Sequence, residues 1–243
     1  MPFDAILFDK DGTLVDFDRT WGPAAYEVMM TLAAGDDTAF RRLAEVSGFN
    51  IRDRKFATGS PFLTGALDVY GPLWAKALGR RDHARLRDEI LGLFRITALN
   101  SLTPIGNPAA LLRGLAGKGY RLGIVSNDFE ASIRLQAGSL QIDEWLDFYA
   151  GRDSGFGAKP EPGMITAFAA FSGIAPQRIA VVGDTMHDVK AAQAAGAFAI
   201  GVLTGPDQDE DLAKFADCVI ESVEDLPALL LQLREKRLAS AHI

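Results

Sequence analysis

Four aspartates recur at short spacings in two separate parts of the sequence. They are Asp9, Asp11, Asp184 and Asp188. Two carboxylates about 4 Å apart repel each other by roughly 4 kcal/mol at an effective dielectric constant of about 20, so a cluster of them needs a compensating cation. Oxygen ligands without a histidine or cysteine companion suit Mg²⁺, which commonly takes one or two carboxylates, water and a substrate phosphate. The residue types therefore predict a phosphoryl group bound beside a magnesium ion.

Asp9 and Asp11 are predicted to do different work. In an extended segment, side chains two residues apart face the same side, so both carboxyls could address one substrate. One would act as the nucleophile, and the other would donate a proton to the leaving oxygen. By the same alternation, Lys10 should point away from both aspartates into a surface or peripheral ion pair. A cation that binds substrate or holds a second domain closed is the less favoured alternative for Lys10.

Short apolar runs, each followed by a turn and a helix-like stretch, predict the sheet that positions these residues. The expected strands are 5–8, 122–126, 148–150, 179–182, 198–202 and 218–220. The expected helices are 108–118, 130–138, 162–173 and 186–195, the last ended by Gly196. This alternation is typical of a doubly wound, Rossmann-like α/β sheet, whose ligands bind beyond the carboxyl ends of the strands.

The first two predicted strands are separated by more than a hundred residues, far more than a compact α/β unit needs. Within this interval, Trp21, Ala25, Val28 and Leu32 are apolar at helical spacing. We therefore expect an inserted all-helical cap domain at residues 16–100, with residues 1–15 and 101–243 forming the α/β core. Both joints fall near strand ends, which would place the cap over the predicted ligand site.

Four motifs occur in order along the core: residues 8–14 (Phe-Asp-Lys-Asp-Gly-Thr-Leu), 126–127, 157–160 and 183–188. With these motifs the chain resembles the haloacid dehalogenase superfamily, and specifically its phosphoglycolate-phosphatase-like branch with a helical cap. The resemblance covers about residues 4–226. It departs from the commonest pattern at Lys10, where most members carry an apolar residue.

The resemblance implies a role for each matched catalytic residue. Asp9 would attack phosphorus in line and form an aspartyl phosphate. Asp11 would protonate the leaving alcohol and then activate water, which favours a phosphomonoester substrate because a halide would leave unprotonated. Lys159 would neutralise the transferring group, since charge stabilisation and positioning are what phosphoryl transfer chiefly needs.

The remaining matches bind phosphate and metal, according to the resemblance. Phosphate contacts are implied for the Ser126 hydroxyl, the Asn127 backbone N–H, Gly12 and Lys159. The implied Mg²⁺ ligands are Asp9, the backbone carbonyl of Asp11, and Asp184, supported by Asp188. Asp184 and Asp188 are four residues apart and would share a helix face if the helix began promptly after the strand.

Substrate selection is expected from the cap. The candidates are Thr20, Trp21, Arg52, Arg54 and Lys55. An arginine in this region could bind a substrate carboxylate in a bidentate manner, as 2-phosphoglycolate would require. Exposed charges on a helix face are an equally good interpretation of the three basic residues, and the sequence leaves both open.

Two alternatives to a phosphatase stay open. A sugar-phosphate mutase of the β-phosphoglucomutase type would return the phosphoryl group from the aspartate to a sugar hydroxyl. A receiver-like phospho-aspartate switch also gathers aspartates, a Ser or Thr and a Lys-Pro pair, although receivers lack the long insert. A dinucleotide-binding enzyme is disfavoured, because no Gly-x-Gly-x-x-Gly motif follows the first predicted strand.

Composition narrows the class of partner. The 243 residues carry a formal net charge of −7 and no basic run, which disfavours nucleic acid and leaves a small phosphorylated metabolite as the expected ligand. No uncharged stretch is long enough for a membrane span. The single Cys218 suits a reducing cytoplasm. We expect a monomer or homodimer, with the acidic stretch 207–211 and His242 on the solvated surface.

Overall fold

The computed structural model describes residues 2–63, 67–205 and 211–240. The chain divides into two compact units, unit 1 (Met1–Asp16 with Pro104–Ile243) and unit 2 (Phe17–Thr103). The predicted division placed the joints after residues 15 and 100. His242 and the acidic stretch 207–211, apart from Asp211, lie outside the described residues. None of the described helices is both long and apolar enough to cross a bilayer.

Strands and helices alternate through most of unit 1, whereas unit 2 is mainly helical. The strands are β1 (Ala5–Phe8), β2 (Phe49–Asn50), β3 (Lys55–Phe56), β4 (Arg121–Val125), β5 (Phe148–Ala150), β6 (Ile179–Gly183), β7 (Phe198–Val202) and β8 (Cys218–Ile220). The helices are α1 (Phe17–Ala33), α2 (Asp37–Val46), α3 (Leu67–Leu78), α4 (His83–Asn100), α5 (Pro108–Ala116), α6 (Glu130–Ser139), α7 (Gly163–Ser172), α8 (Met186–Ala195), α9 (Leu212–Phe215) and α10 (Leu226–Ser240).

Unit 1 contains a parallel sheet of six strands in the order β5-β4-β1-β6-β7-β8. The central strand β1 pairs with β4 on one side and β6 on the other, so that Phe8 lies opposite both Ile124 and Val182. Every residue of β1 is buried, as expected for a strand covered on both faces. The doubly wound α/β core predicted from the sequence is confirmed.

The strand order determines where a ligand can bind. The chain builds β1, β4 and β5 in one direction across the sheet and then returns to add β6 on the opposite side of β1. This reversal creates a topological switch point between β1 and β6. Ligands of open α/β sheets bind in the crevice beyond the carboxyl ends of the strands at such a point. A ligand is therefore expected at the loops after β1, β4 and β6.

Unit 2 consists of α1 to α4 around an aromatic core. Trp21 makes edge contacts with Phe62 and Phe94, with ring centroids 6.1 Å and 5.8 Å apart. Trp74 is fully buried, and its indole N–H donates to the Ser47 hydroxyl at 2.7 Å. The unit packs its core from apolar residues at helical spacing, as the sequence indicated.

One feature of unit 2 differs from the predicted all-helical domain. Strands β2 and β3 pair antiparallel, with Asn50 opposite Lys55. The Asn50 side chain causes the reversal, because its oxygen accepts the backbone N–H groups of Arg52 at 2.9 Å and Asp53 at 3.2 Å. Asparagine commonly stabilises turns in this way. Each strand is only two residues long, too short for an alternation pattern to reveal it.

Candidate active site

Three strand ends bring the predicted site residues to one edge of the sheet. Asp9 follows β1 directly, and its backbone N–H donates to Val182 of β6 at 2.8 Å. Asp184 follows β6. Ser126 follows β4, and its N–H donates to Ala150 at the end of β5 at 3.0 Å. Hydrogen bonds of the sheet thus continue into the loops and fix the starting points of these side chains.

Three buried carboxylates form the centre of the site. Asp9, Asp184 and Asp188 each offer an oxygen, and these oxygens lie within 4.8 Å of one another. The ammonium of Lys159 lies 2.6 Å from Asp9 Oδ1 and 2.5 Å from Asp188 Oδ1, and it also donates to the carbonyl of Val125 at 3.1 Å. One cation therefore contacts two of the three carboxylates in a region from which water is largely excluded.

Burial and mutual repulsion perturb these groups strongly. Burial raises the pKa of Asp9 to about 6, against the pull of Lys159 and with the help of the negative charges of Asp188 and Asp11. Burial and the charges of Asp9 and Asp188 raise the pKa of Asp184 well above its usual range. Burial works to lower the pKa of Lys159, but the two carboxylates it contacts raise it, so the ammonium stays charged. The carboxylates are thus short of positive charge.

The donor set fits a hard divalent cation. The three groups are carboxylates, and no histidine or cysteine belongs to the cluster found among the described residues. Such oxygen ligands suit Mg²⁺ rather than a softer transition metal. A cation bound here would also remove the repulsion that raises the pKa values of Asp9 and Asp184. The site can therefore hold a metal ion, with Mg²⁺ a chemically suitable candidate.

Glycines allow the carboxylates to pack against the backbone, as Gly12 and Gly183 illustrate. Gly12 has a φ of +83°, and a Cβ atom built there would lie 2.2 Å from the Asp184 carboxylate. A Cβ at Gly183 would lie 2.2 Å from Cγ of Asp188. A side chain at either position would displace a carboxylate of the cluster.

Asp188 is held by the start of helix α8. Its second carboxylate oxygen accepts the Thr185 hydroxyl at 2.6 Å and the Thr185 backbone N–H at 3.0 Å. These bonds belong to a capping box at the helix N-terminus. Because α8 begins only at Met186, Asp184 precedes the helix, and the expectation that Asp184 and Asp188 share a helix face is wrong. The two carboxylates meet instead through the tight strand-to-helix turn.

The loop that carries Lys159 is fixed by Asn127. The Asn127 side-chain oxygen accepts the Lys159 backbone N–H at 2.9 Å, and its amide group donates to the Lys159 carbonyl at 3.0 Å. Ser126 is also buried, and its hydroxyl accepts the Asp128 N–H at 3.2 Å. The side chain of Asn127 therefore positions Lys159, whereas the sequence had assigned Asn127 only a backbone contact.

Lys10 differs from its predicted placement. It is 2% exposed, and its ammonium lies 2.6 Å from Asp11 Oδ2 and 3.2 Å from Asp128 Oδ2. The predicted ion pair is present, but it is buried rather than at the surface, and the expectation that the side chain points away from Asp11 is wrong. Strand β1 ends at Phe8, and the backbone N–H groups of Leu14 and Val15 both donate to the Lys10 carbonyl. The chain turns here, so the alternation of an extended strand does not apply.

Because the chain turns at Lys10, the strand alternation that predicted Asp9 and Asp11 on the same side does not apply. Asp9 contacts Lys159, whereas Asp11 contacts Lys10. The two carboxylates have separate counter-charges, which suits different chemical tasks. The same loop is also held by Thr204, whose hydroxyl donates to the Gly12 carbonyl at 2.6 Å.

The predicted specificity residues all lie in unit 2, in two different settings. Thr20 and Trp21 are buried, and the Thr20 hydroxyl accepts the Thr103 N–H at 3.0 Å. Arg54 stacks over the Tyr26 ring at 4.3 Å, and Lys55 pairs with Asp18 at 2.7 Å. Arg52 is exposed at the β2–β3 turn and makes no ion pair with any residue that the structure describes.

Several residues around the site had no predicted role. They are Thr13, Asp128, Gln136, Thr185, Thr204 and Gly183. Thr13 donates to Asp184 at 3.3 Å. One of these residues carried a recognisable signal, since a threonine three residues before an acidic residue marks a capping box at a helix start. The others depend on contacts between segments far apart in sequence.

A parallel sheet with buried carboxylates and two buried lysines, Lys10 and Lys159, at its carboxyl edge defines the class of protein. The chain belongs to the haloacid dehalogenase-like hydrolase family, whose model matches residues 3–196. The predicted resemblance to this superfamily is confirmed.

Individual relatives narrow the comparison. The chain is 34% identical to the phosphoglycolate phosphatase of Escherichia coli (strain K12) over 132 residues, 53% of this chain and 52% of that protein. The chain thus spans about half the length of this curated relative. It is 26% identical over 239 residues to the phosphoglycolate phosphatase of Photorhabdus laumondii, covering 94% and 95% of the two chains. These relatives support the phosphoglycolate-phosphatase-like branch.

Solved structures agree on the fold. A predicted phosphoglycolate phosphatase from Haemophilus somnus superimposes with a TM-score of 0.73 at 21% identity, covering 95% of this chain and 99% of that one. A haloacid dehalogenase family hydrolase from Deinococcus radiodurans R1, with bound phosphate and sodium, gives a TM-score of 0.67 at 25% identity and covers 96% of both chains.

Proposed function

We propose that the protein is a Mg²⁺-dependent phosphomonoesterase that hydrolyses a small phosphorylated metabolite. The observation that carries this proposal is the buried group of Asp9, Asp184 and Asp188, two of which, Asp9 and Asp188, contact the Lys159 ammonium. Three carboxylates against one fixed cation leave a deficit of positive charge, which a divalent ion can fill. The family and the named activity of the curated relatives support the same conclusion.

In the proposed reaction, Asp9 is the nucleophile. Its carboxylate forms a bond to phosphorus as the bond from phosphorus to the leaving oxygen breaks, and water later hydrolyses the aspartyl phosphate. Lys159 contacts Asp9 and supplies fixed positive charge beside the transferring group. Asp9, Asp184 and the Asp11 carbonyl, with Asp188 in support, would hold a Mg²⁺ ion, which would supply further charge stabilisation for the phosphoryl oxygens.

Asp11 is the proposed proton donor and acceptor. Its carboxyl gives a proton to the leaving alcohol and then takes one from the attacking water. Its pairing with Lys10 rather than Lys159 supports a task separate from that of Asp9. The phosphate oxygens are proposed to contact the Ser126 hydroxyl, the backbone of Asn127 and Gly12, and the Lys159 ammonium. Phosphate bound in the Deinococcus radiodurans hydrolase supports such a phosphate site.

The substrate class we propose is a small phosphate ester that also carries a carboxylate, such as 2-phosphoglycolate. The named activity of both curated relatives supports this choice. Unit 2 is proposed to act as the cap that selects the substrate, with Arg52 the strongest candidate for the carboxylate because its guanidinium is exposed and forms no ion pair with the described residues. Arg54 and Lys55 are secondary candidates for this contact. Thr20 and Trp21 are buried, and we assign these two residues a packing role instead.

A phosphatase screen tests the proposal. The purified protein is incubated with a panel of phosphorylated metabolites, with Mg²⁺ or with EDTA, and released phosphate is measured. We expect multiple turnovers that need Mg²⁺, strongest with 2-phosphoglycolate or a similar ester, and loss of activity in Asp9→Asn. Unchanged activity in Asp9→Asn would contradict the mechanism. Isomerisation of hexose phosphates would favour the mutase, and stable phosphorylation without turnover would favour a switch.

A further inference from the structure

The ammonium of Lys10 is enclosed by polar groups from a distant segment. Besides the two carboxylates already described, it donates to the Gln136 side-chain oxygen at 2.9 Å. Lys10 and Gln136 are each 2% exposed. An ammonium has three donors, and three acceptors are present, so the lysine side chain is fixed in one direction.

The acceptors are themselves tied to one another. The Ser132 hydroxyl donates to Asp128 Oδ2 at 2.7 Å and accepts the Gln136 amide at 3.3 Å. Asp128 Oδ1 accepts the Phe129 backbone N–H at 2.7 Å. Helix α6 and the loop before it thus form a rigid cradle around Lys10, because Ser132 and Gln136 lie one turn apart on the same helix.

Burial of the Lys10 ammonium would destabilise the fold without strong pairing. Burying an ammonium is unfavourable unless it is paired and hydrogen-bonded. The carboxylates of Asp11 and Asp128 and the Gln136 side-chain oxygen supply this pairing for Lys10. Most of the cradle lies on α6, whereas Asp11 lies on the turn after β1. Lys10 therefore couples the orientation of the Asp11 carboxyl to a helix in another part of unit 1.

We propose that Lys10 is a positioning residue that holds the Asp11 carboxyl in the direction needed to protonate the leaving group. The proposal rests on the role of Asp11 in the proposed function. Because Oδ2 of Asp11 is fixed by Lys10, the plane of the carboxyl is fixed, and so is the direction of Oδ1. As the bond from phosphorus to the leaving oxygen breaks and the bond to Asp9 forms, the Asp11 proton moves to the leaving oxygen and the alcohol departs neutral.

A positioning role and a purely structural role for Lys10 predict different dependences of the rate on the leaving group. A general acid matters when the leaving group is a poor one, such as an alkoxide, and matters little when the leaving group is already stable as an anion. Loss of the positioning lysine should therefore affect alkyl phosphates selectively. A lysine that merely stabilises the fold would, on removal, lower the rates for both kinds of ester together.

The test compares kcat/KM for an alkyl phosphate and for dinitrophenyl phosphate in the Mg²⁺-loaded full chain, because kcat/KM reports the step in which the alcohol leaves. Lys10→Met should lower the alkyl value by about tenfold or more and the dinitrophenyl value by less than about threefold, within the range that general acid catalysis contributes. The control is Lys118→Met, which removes an exposed lysine of unit 1 and should change neither value.

The Asp128→Asn variant is a second test of whether Lys10 positions Asp11. It keeps Lys10 and Asp11 and removes one charge of the cradle, so we expect a smaller loss with the same preference for alkyl esters. Equal losses for both esters, or no loss, would overturn the proposal for either variant. If Lys10→Met does not fold, Asp128→Asn decides alone. Failure of the proposed function gives a different result from failure of the Lys10 proposal alone. In that case the unsubstituted protein would hydrolyse neither ester, or Asp9→Asn would remain active, and both proposals would be wrong.

Discussion

Charged side chains are buried together at the carboxyl edge of the sheet, namely Asp9, Lys10, Lys159, Asp184 and Asp188. The aspartates and Lys159 were recognisable as candidates from residue type and motif alone, because a phosphate-handling site needs carboxylates and a cation. The placement of Lys10 was not predicted, since it depends on the turn after β1 and on Gln136, which lies 126 residues away. Strand alternation fails wherever a strand has already ended, and Phe8 ends β1 one residue before the first aspartate.

The raised pKa of Asp9 makes the effect of Mg²⁺ on stability depend on pH. In the folded protein without metal the pKa is about 6 against an ordinary value of 3.8. The folded state therefore binds more protons than the unfolded state between these values, and metal-free stability falls as pH rises through this window. A cation competes with those protons, so Mg²⁺ should stabilise the fold more at high pH than at low pH.

Thermal unfolding with excess Mg²⁺ or with EDTA, at about pH 5 and about pH 8, measures this linkage. We expect the increase in unfolding temperature caused by Mg²⁺ to be clearly larger at the higher pH. The Asp184→Asn variant is the control, because loss of one proposed ligand should reduce the increase at both pH values. An equal increase at both pH values in the unsubstituted protein would count against a metal held by these carboxylates.

At the scale of elements, short turns determine the site more than the strands do. All six strands of the core sheet were predictable, because each is an apolar run bounded by polar or glycine residues. The geometry of the loops was not, because Asp188 reaches the cluster through the capping box of α8 and Lys159 is held by the Asn127 side chain. Such contacts join segments that no local pattern connects.

Gly12 should be sensitive to substitution for two separable reasons. Its φ of +83° is strained for any residue with a Cβ, and a Cβ would meet the Asp184 carboxylate at 2.2 Å. Gly119 is a matched control, with a φ of +86° and nothing within 4 Å of a built Cβ. Gly119→Ala should cost about 1 kcal/mol of stability and leave activity unchanged.

Gly12→Ala should cost at least as much stability and also lower kcat/KM by roughly a hundredfold, since it displaces a proposed metal ligand. Urea unfolding and phosphate release measured on both variants separate the two effects. Similar activity in Gly12→Ala and Gly119→Ala would show that the close approach to Asp184 has no functional importance.

On the scale of the whole molecule, an acidic chain is proposed to handle an acidic ligand by separating local from overall charge. The net charge of −7 excludes little about a small phosphate ester, because the charge that matters lies in one buried cluster. The proposed function assigns the chemistry to the sheet unit and the selection of substrate to the mainly helical unit. The long interval between the first two core strands predicted the insert, whereas the β2–β3 turn that presents Arg52 was too short to recognise.

Arg52→Gln tests the proposed role of unit 2 in selection. We expect KM for 2-phosphoglycolate to rise about tenfold, because one charged hydrogen-bond partner of the carboxylate is lost. KM for a phosphate ester without a carboxylate should stay unchanged. Arg87→Gln, which removes an exposed arginine of α4, should affect neither substrate. A rise in KM for both esters, or for neither, would remove Arg52 from the set of specificity residues.

The most direct test of the central claim is to trap the phosphoryl group on Asp9. The protein is mixed with Mg²⁺ and an activated aryl phosphate, quenched in acid and reduced with borohydride, which converts a phosphorylated aspartate to homoserine, and the modified residue is located by peptide mass spectrometry. Asp11→Asn is included because it should slow hydrolysis of the intermediate and let it accumulate. We predict homoserine at position 9 only, dependent on Mg²⁺ and absent from Asp9→Asn. Phosphate release without modification of Asp9 in either form, or modification at another aspartate, would contradict the account.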